Sequence, residues 1–379
     1  MSEKSANLGA NPSANLTANP STNRHLNVAI TGGGTGGHLS IARALGIECA
    51  KRGFKSIYIG SQSGQDREWF ETADIFSQKY FLDSTGVVNK RGFGLVKSLF
   101  LQLKAMLKSL KILKKHNIDF VISVGGFSAG GASGAAILGR IPLFIHEQNS
   151  IIGTLNKVLS PFAKAVFGSF DLGLKNFVRT AYPINDIFAK TARVRTKVGT
   201  ILFLGGSQGA VAINDFALQL APKLIERGIK IIHQCGTKDF ERVKNAYNDL
   251  VGDCVGFDES AKIHLFAFDK NIVRFIESAD LCVSRAGASS LWELAANALP
   301  CYFVPYPFAA KNHQFSNALF LRKQGLCEVV EQKNLNAEAF LAYLDSANFA
   351  EISANLANLK SKNGAEEILD WILENIKSA

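Results

Sequence analysis

The sequence lacks several patterns that mark common classes of protein. Its six cysteines are scattered and form no Cys-x-x-Cys pair, which argues against a disulfide framework and against a zinc site. No apolar run reaches the roughly 18 residues that would span a bilayer. No Asp-x-Asp pair occurs among the 379 residues, so we expect no metal and no cofactor at a diphosphate site.

Acidic residues are also absent from the segment between Ser84 and Ile118, although the chain as a whole has a net charge of +10. Helical spacing in this segment predicts that the core-facing residues are Val96, Leu99, Leu103, Met106, Leu107 and Leu110. Leu101 and Ile112 would then project among lysines that include Lys104, Lys108 and Lys111. This basic patch in residues 90–115 suits an anionic membrane surface, and a solvated lysine face is the alternative.

Short apolar runs alternate with helical patterns along most of the chain, which predicts an α/β fold with parallel sheets. Residues 1–25 have no apolar periodicity and are expected to form a disordered tail. Two successive openings of the form strand, glycine loop, helix predict two Rossmann-like domains that face each other across a cleft. We predict these segments: an N-terminal domain at 26–183, a linker at 184–199, a C-terminal domain at 200–357 and a terminal helix at 358–379.

The glycine loop that opens the first domain ends in a histidine, His38, after Thr31-Gly32-Gly33-Gly34-Thr35-Gly36-Gly37. A strand, a glycine loop and a helix present backbone N–H groups to a phosphate, which needs no imidazole. The positive helix end favours a neutral imidazole, so His38 is a candidate general base. The alternatives are a capping or packing histidine and a dinucleotide site. The dinucleotide site, however, calls for a carboxylate at the end of the second strand, which is missing.

Further polar or small residues follow other predicted strands, at the edge where parallel sheets bind ligands. His146-Glu147-Gln148-Asn149 suits contacts to a sugar or a pyrophosphate, or else a hydrogen-bonded turn. In Ser284–Glu293, small residues would let a phosphate approach the start of a helix, and Glu293 would accept from ribose hydroxyls. A capping box between Ser290 and Glu293 is compatible with this interpretation.

Six motifs together resemble the peptidoglycan N-acetylglucosaminyltransferase family, over about residues 26–375. They are Gly33–His38, Gly125–Ser128, His146–Asn149, Gly205–Ala210, Ser284–Glu293 and His313–Ala318. The resemblance implies a GT-B fold and a peripheral enzyme at the cytoplasmic face of the bacterial inner membrane. Such an enzyme transfers N-acetylglucosamine from UDP-N-acetylglucosamine to lipid I without a metal, giving lipid II, and binds no nucleic acid.

The same resemblance assigns roles by position. His38 is the leading candidate for the general base and Glu147 the reserve. Donor contacts would come from Thr35, Gly36, Gly37, Asn149, Ser207, Gly287, Ala288, Ser289, Ser290, Glu293 and Gln314. The acceptor side would be lined by Gly34, Gly126, Phe127 and Ser128.

One departure from the family pattern bears on the diphosphate. Asn185 stands where the family has an arginine, and Arg193, Arg195 or Arg285 could replace that cation. Two other functions remain open at this point. One is a UDP-sugar epimerase, and the other is a non-catalytic subunit that binds a sugar nucleotide.

Overall fold

The computed structural model describes residues 25–86, 90–206, 209–252, 255–256, 261–359 and 363–376. The predicted tail therefore lies outside the described residues except for His25. Ser207, a predicted diphosphate contact, also lies outside them.

The N-terminal domain contains a seven-stranded parallel sheet in the order β3-β2-β1-β4-β5-β6-β7. Its strands are β1 (Asn27–Thr31), β2 (Lys55–Ser61), β3 (Gln78–Leu82), β4 (Phe120–Ser123), β5 (Leu143–His146), β6 (Ala165–Gly168) and β7 (Phe177–Arg179). The α-helices up to the second sheet are α1 (Gly36–Lys51), α2 (Asp66–Phe70), α3 (Gly92–Lys115), α4 (Ala129–Leu138), α5 (Thr154–Leu159) and α6 (Ile187–Lys190).

The C-terminal domain repeats this plan with the strand order β10-β11-β9-β8-β12-β13-β14, again parallel. Its strands are β8 (Thr200–Leu204), β9 (Lys230–Gln234), β10 (Val255–Gly256), β11 (Ile263–Phe266), β12 (Leu281–Ser284), β13 (Cys301–Phe303) and β14 (Glu328–Val329). The helices are α7 (Val211–Glu226), α8 (Phe240–Val251), α9 (Val273–Ser278), α10 (Ala288–Ala296), α11 (His313–Arg322), α12 (Ala337–Ser346), α13 (Phe349–Asn358) and α14 (Gly364–Ile376).

The predicted fold class is confirmed, and the two sheets explain where the motifs lie. Strand order reverses beside β1 in the first sheet and beside β8 in the second. Both strands are almost wholly buried because helices cover both faces of each sheet, as their continuous apolar sequences predict. The reversal opens a crevice at the carboxyl end of each central strand, which is where such folds bind ligands.

The terminal helix begins later than predicted, and it packs on the first domain. Asn358 ends α13, and α14 begins only at Gly364. α14 returns to the first domain, where Arg52 forms a 2.7 Å ion pair with Asp370. The ring of Trp371 packs edge-on against the ring of Phe167, with centroids 5.4 Å apart. The last helix therefore fastens the end of the chain to the N-terminal domain.

The predicted orientation of α3 is wrong. The side that packs on the protein consists mainly of small residues: Ser98, Ala105, Ser109 and Leu113 are buried. Large apolar residues are exposed instead, beside the lysines, and they are Phe93, Val96, Leu99, Phe100, Leu103 and Leu107. Met106 and Leu110 are half-buried, as are Leu101 and Ile112.

The reason lies in the neighbouring helix α4, whose sequence is Ala-Gly-Gly-Ala-Ser-Gly-Ala-Ala-Ile-Leu. A Cβ atom added to Gly131 would lie only 2.9 Å from the Ala105 Cβ atom, so the two helices are in close contact. Bulky side chains cannot fit between helices at this distance and point outward. No helix in the described part of the chain is long and apolar enough to cross a membrane.

Candidate active site

The glycine loop after β1 and the turn after β4 pack against each other at the first crevice. Gly126 has a positive φ of 78°, and a side chain there would collide with the Gly33 carbonyl oxygen. A side chain on Gly34 would collide with the Phe127 ring. Ser128 follows in the same turn, and its buried hydroxyl has no partner among the described residues. The four predicted acceptor-side residues are thus brought together.

His38 lies in the first turn of α1 between two polar partners. Its Nδ1 atom is 2.9 Å from Thr35 Oγ1, and its Nε2 atom is 3.0 Å from the amide nitrogen of Gln148. Burial, with a smaller contribution from His313 of the other domain, lowers the pKa of His38 to about 4. The imidazole is therefore neutral at pH 7, as a general base requires.

Asp66 supports the glycine loop, a role that the sequence analysis missed. Its buried carboxylate accepts hydrogen bonds from Gly34 N at 2.6 Å and from Ser61 N at 2.9 Å. The Tyr58 hydroxyl donates to the same carboxylate at 3.0 Å. The sequence offered one signal for this role, a carboxylate shortly after the second strand. In the structure this carboxylate binds the glycine loop that follows β1.

Glu147, the predicted reserve base, holds a loop together. Its carboxylate accepts from Asn149 N at 3.0 Å, from Gly153 N at 2.9 Å and from Asn156 Nδ2 at 2.8 Å. Burial raises the pKa of Glu147, and these hydrogen bonds oppose that rise. A buried carboxylate with three donors is poorly placed to take a proton from a substrate, so the geometry favours His38 as the base.

The start of α10 faces the cleft without a side-chain cap. Gly287 is the N-cap residue, and the helix begins at Ala288. Ser290 lies inside the first turn, so the capping box predicted between Ser290 and Glu293 does not form. A Cβ atom on Gly287 would meet nothing within 4 Å, so there is open space beside the free N–H groups. This arrangement suits an anion.

Ser289 connects this helix start with the first domain. Its hydroxyl lies 3.1 Å from the Ser40 hydroxyl and 3.0 Å from the Tyr182 hydroxyl. It also lies 3.3 Å from the carbonyl oxygen of Gly37. The N-terminal turns of α1 and α10 therefore meet across the cleft, and both bring the positive end of a helix dipole to the same place.

Glu293 lies one turn further along α10, and its carboxyl group has no hydrogen-bond or ion-pair partner within the described ranges. Burial raises the pKa of its carboxyl group to about 8. A carboxyl group that is desolvated and unpaired in the free protein is available to accept hydrogen bonds from a ligand. This fits the predicted contact to ribose hydroxyls.

Gln314 lines a cavity of about 390 Å³ in the C-terminal domain, beside the start of α7. Its side-chain oxygen accepts from Tyr306 N at 2.9 Å, which leaves its amide hydrogens for a ligand. Arg285 lines the same cavity, but its guanidinium donates to two carbonyl oxygens and to Gln332.

Two of the three arginines proposed to replace the missing cation are used elsewhere. Arg193 forms a 2.7 Å ion pair with Asp280 and donates to carbonyl groups at the end of α9. Arg195 is fully buried and donates to carbonyl oxygens at the ends of α9 and α10, including that of Asn297. Asn185 is exposed, and its side chain accepts from Ile187 N at 3.2 Å. Of these residues, Arg285 alone borders the cavity beside α7.

Asn149, a predicted donor contact, lies at the boundary with the other domain, where its side-chain oxygen accepts from Asn317 at 3.1 Å. Asn317 belongs to the motif of α11 yet had no role in the sequence analysis. Thr35, Gly36 and Gly37 lie in the loop and first turn beside His38. The structure thus brings the glycine loop of His38, the loop of Gln148 and Asn149 and the start of α10 together between the two domains, while Gln314 lines the cavity beside α7.

Two parallel-sheet domains with this cleft define a glycosyltransferase of the GT-B class. Residues 28–168 match the N-terminal domain of glycosyltransferase family 28, and residues 200–371 match its C-terminal domain. The chain belongs to glycosyltransferase family 28.

Its relatives carry a specific name, UDP-N-acetylglucosamine–N-acetylmuramyl-(pentapeptide) pyrophosphoryl-undecaprenol N-acetylglucosamine transferase. The protein of Helicobacter hepaticus with this name is 55% identical over 349 residues, which are 91% of this chain and 98% of the relative. The one of Helicobacter pylori strain J99 is 52% identical over 358 residues, covering 92% and 99%. The crystal structure of Acinetobacter baumannii MurG superposes with a TM-score of 0.74 at 27% identity, covering 92% of this chain and 99% of that one.

Proposed function

We propose that this protein transfers N-acetylglucosamine from UDP-N-acetylglucosamine to the muramoyl C4 hydroxyl of undecaprenyl-pyrophosphoryl-MurNAc-pentapeptide, lipid I. The product is lipid II, the disaccharide precursor of peptidoglycan. The 55% identity with a transferase of this name, over almost the whole of both chains, is the observation that carries the proposal. The cleft supports it with a neutral histidine opposite an uncapped helix start.

In the proposed reaction His38 takes the proton of the acceptor hydroxyl as its oxygen attacks the anomeric carbon of the α-linked donor. The bond to UDP breaks in the same displacement, so the product linkage is β. Negative charge develops on the leaving diphosphate. The free N–H groups at the start of α10 and the nearby start of α1 stabilise that charge because they are fixed in place before the reaction.

Donor recognition is assigned to side chains on both walls of the cleft. Glu293 would accept hydrogen bonds from the ribose, and Gln314 would donate to sugar hydroxyls from its free amide hydrogens. Asn149 would hydrogen-bond the donor from the first domain, and Gly287–Ser290 would bind the phosphate through backbone N–H groups. The loop of Gly34 and the turn of Gly126–Ser128 would receive the acceptor.

We also propose that α3 holds the protein at the cytoplasmic face of the inner membrane. The exposed stripe of large apolar side chains that runs from Phe93 to Leu107 supports this proposal, because the buried face of the same helix consists mainly of small residues. Lysines lie beside this stripe, and their charge attracts anionic lipid while the apolar side chains enter the interface. Gln102 links this helix to the acceptor turn, since its amide donates to the Phe127 carbonyl oxygen at 3.3 Å.

Purified protein incubated with radiolabelled UDP-N-acetylglucosamine and a short-chain lipid I analogue tests the proposed function. We expect labelled disaccharide lipid and UDP only when both substrates are present. Conversion of the donor without the acceptor would instead indicate an epimerase. Binding of the donor without turnover would indicate a non-catalytic subunit, and either result would contradict the proposal.

A further inference from the structure

Asn317 occupies the junction of the two domains and is completely buried. Its side-chain oxygen accepts from the backbone N–H and from the hydroxyl of Ser150, both at 2.9 Å. Its nitrogen donates to Asn149 Oδ1 at 3.1 Å and to the Ala286 carbonyl oxygen at 3.4 Å. We propose that Asn317 is a positioning residue that joins the C-terminal domain to the loop beside His38 and sets the direction of the Asn149 amide. This inference rests on the proposed function.

The direction of the Asn317 amide follows from its neighbours. A backbone N–H can only donate, so the atom facing Ser150 N must be the oxygen. A carbonyl oxygen can only accept, so the atom facing Ala286 O must be the nitrogen. Both constraints agree, and they require that Asn149 turn its own oxygen toward Asn317.

The backbone of Asn149 is held from the other side. Its N–H donates to Glu147 Oε1 at 3.0 Å, and the same carboxylate accepts from Gly153 N and Asn156 Nδ2. Glu147 therefore holds the backbone of Asn149 while Asn317 holds its side-chain oxygen, so the amide nitrogen of Asn149 faces away from Asn317.

The consequence for the site comes from what lies on the same loop. Gln148, between Glu147 and Asn149, has its amide nitrogen 3.0 Å from His38 Nε2. Ala286, on the other side of Asn317, stands directly before the start of α10. Asn317 therefore ties the element that would hold the donor phosphate to the loop that contacts the base. Separation of the domains would break this network and release the Gln148 loop.

The variant Asn317→Asp tests the inference because it keeps the size of the side chain and both Ser150 contacts. It replaces the amide NH₂ group, a hydrogen-bond donor, with a carboxylate oxygen that can only accept. That oxygen would face two other oxygens, those of Asn149 and Ala286. We expect kcat/KM for the donor to fall roughly 10- to 100-fold, with both a higher KM and a lower kcat. Ser150→Ala, which removes one hydroxyl contact, should cost about threefold in the same direction.

Asn336→Asp is the matched control, because Asn336 caps α12 by accepting from Ala339 N and aspartate serves equally well there. The control should retain the wild-type kinetics. The inference is overturned if Asn317→Asp, folded by circular dichroism, has the kinetics of this control. Should Asn317→Asp fail to fold, unchanged kinetics in Ser150→Ala overturn it.

A double-mutant cycle separates positioning from a general structural effect. If Asn317 acts through Asn149, adding Asn317→Asp to the Asn149→Ala variant should lower kcat/KM by less than about a further threefold. A double variant whose loss in kcat/KM equals the product of the two single losses would contradict the inference. The wild-type reaction is measured first. Without transfer by the wild type the proposed function fails, whereas transfer that Asn317→Asp leaves unchanged refutes only the role of Asn317.

Discussion

The amide nitrogen of Gln148 lies 3.0 Å from Nε2 of His38 and 3.5 Å from Nδ1, the ring nitrogen that lies 2.9 Å from the Thr35 hydroxyl. When the amide donates, Nε2 is the unprotonated nitrogen and Nδ1–H donates to the Thr35 hydroxyl. The contact holds the ring in one orientation and one tautomer. It also keeps the Gln148 amide beside the nitrogen that would take the substrate proton, so Gln148 borders the position of the acceptor hydroxyl.

Replacement of His38 by alanine tests its role as general base. We expect turnover to fall by roughly 10²–10⁴, which is the usual contribution of a positioned base. Donor affinity, measured by calorimetry with UDP, should stay within a few-fold of the wild type. A parallel loss of affinity and turnover would make His38 a binding residue instead.

The neighbour of His38 should control the pH dependence of the reaction. Because burial lowers the pKa of His38 to about 4, the acid limb of kcat/KM in the wild type should lie far below the pH of 6.5 expected for a free histidine. In Gln148→Glu a carboxylate beside the ring favours the imidazolium, so the limb should move to higher pH. Gln324→Glu, in the exposed turn after α11, serves as control, and an unmoved limb in Gln148→Glu would exclude His38 as its source.

Glu293→Gln should make the protein more stable at higher pH and weaken its binding of the donor. The folded-state pKa of Glu293 is raised to about 8 from an ordinary value near 4.5, so the folded protein retains a proton that the unfolded chain releases. This contribution to stability is complete at low pH and is lost as pH rises through that window. The variant should therefore gain Tm over the wild type as pH rises from 5 to 8.

The donor KM of Glu293→Gln, measured at pH 9 where the carboxyl group is ionised, should rise about tenfold, because a charge-assisted hydrogen bond to ribose is weakened. Glu277→Gln, an exposed change in α9, should alter neither Tm nor KM. An unchanged donor KM in Glu293→Gln would contradict the proposed contact between Glu293 and the ribose.

Transfer should survive treatment with EDTA. In the described ranges no group of three or more His, Cys, Asp or Glu side chains is arranged to hold a metal ion. In the proposed reaction the N–H groups at the starts of α10 and α1 stabilise the charge of the diphosphate instead of a metal ion. Inactivation by the chelator that magnesium reverses would require a different account of the leaving group.

The membrane contact is tested by Lys104→Glu, Lys108→Glu and Lys111→Glu in one protein. Each lysine near an anionic surface contributes about 1 kcal/mol, so binding to anionic vesicles should weaken roughly 100-fold or more. The same charge change at Lys238, Lys262 and Lys323 of the second domain should have little effect. If the α3 variant still floats with anionic vesicles at low salt while UDP binding is intact, this helix is not the contact.

The sequence by itself determined the order of the elements and the position of the motifs at the ends of strands. A run such as Thr200–Leu204 is apolar throughout and has glycine directly after it, so its role as a buried strand is a local property. The motifs after β1 and β5 could be assigned to one edge of the first sheet, and the motif after β12 to the corresponding edge of the second, because parallel strands end together. Their chemistry follows from residue type, as for His38.

Only the tertiary structure decided which faces and side chains meet. Helical spacing identified α3, but the close approach of the small residues of α4 turned its large apolar side chains outward. Asp66 and Asn317 act through hydrogen bonds to residues 32 and 168 positions away in the chain. Such contacts depend on how the sheets bring distant loops together, and no local spacing records them. For the same reason α14 proved to bind the domain at the opposite end of the chain. Glu147 differs, because it anchors its own loop through Asn149, Gly153 and Asn156, and only the folded loop shows that its carboxylate turns toward them.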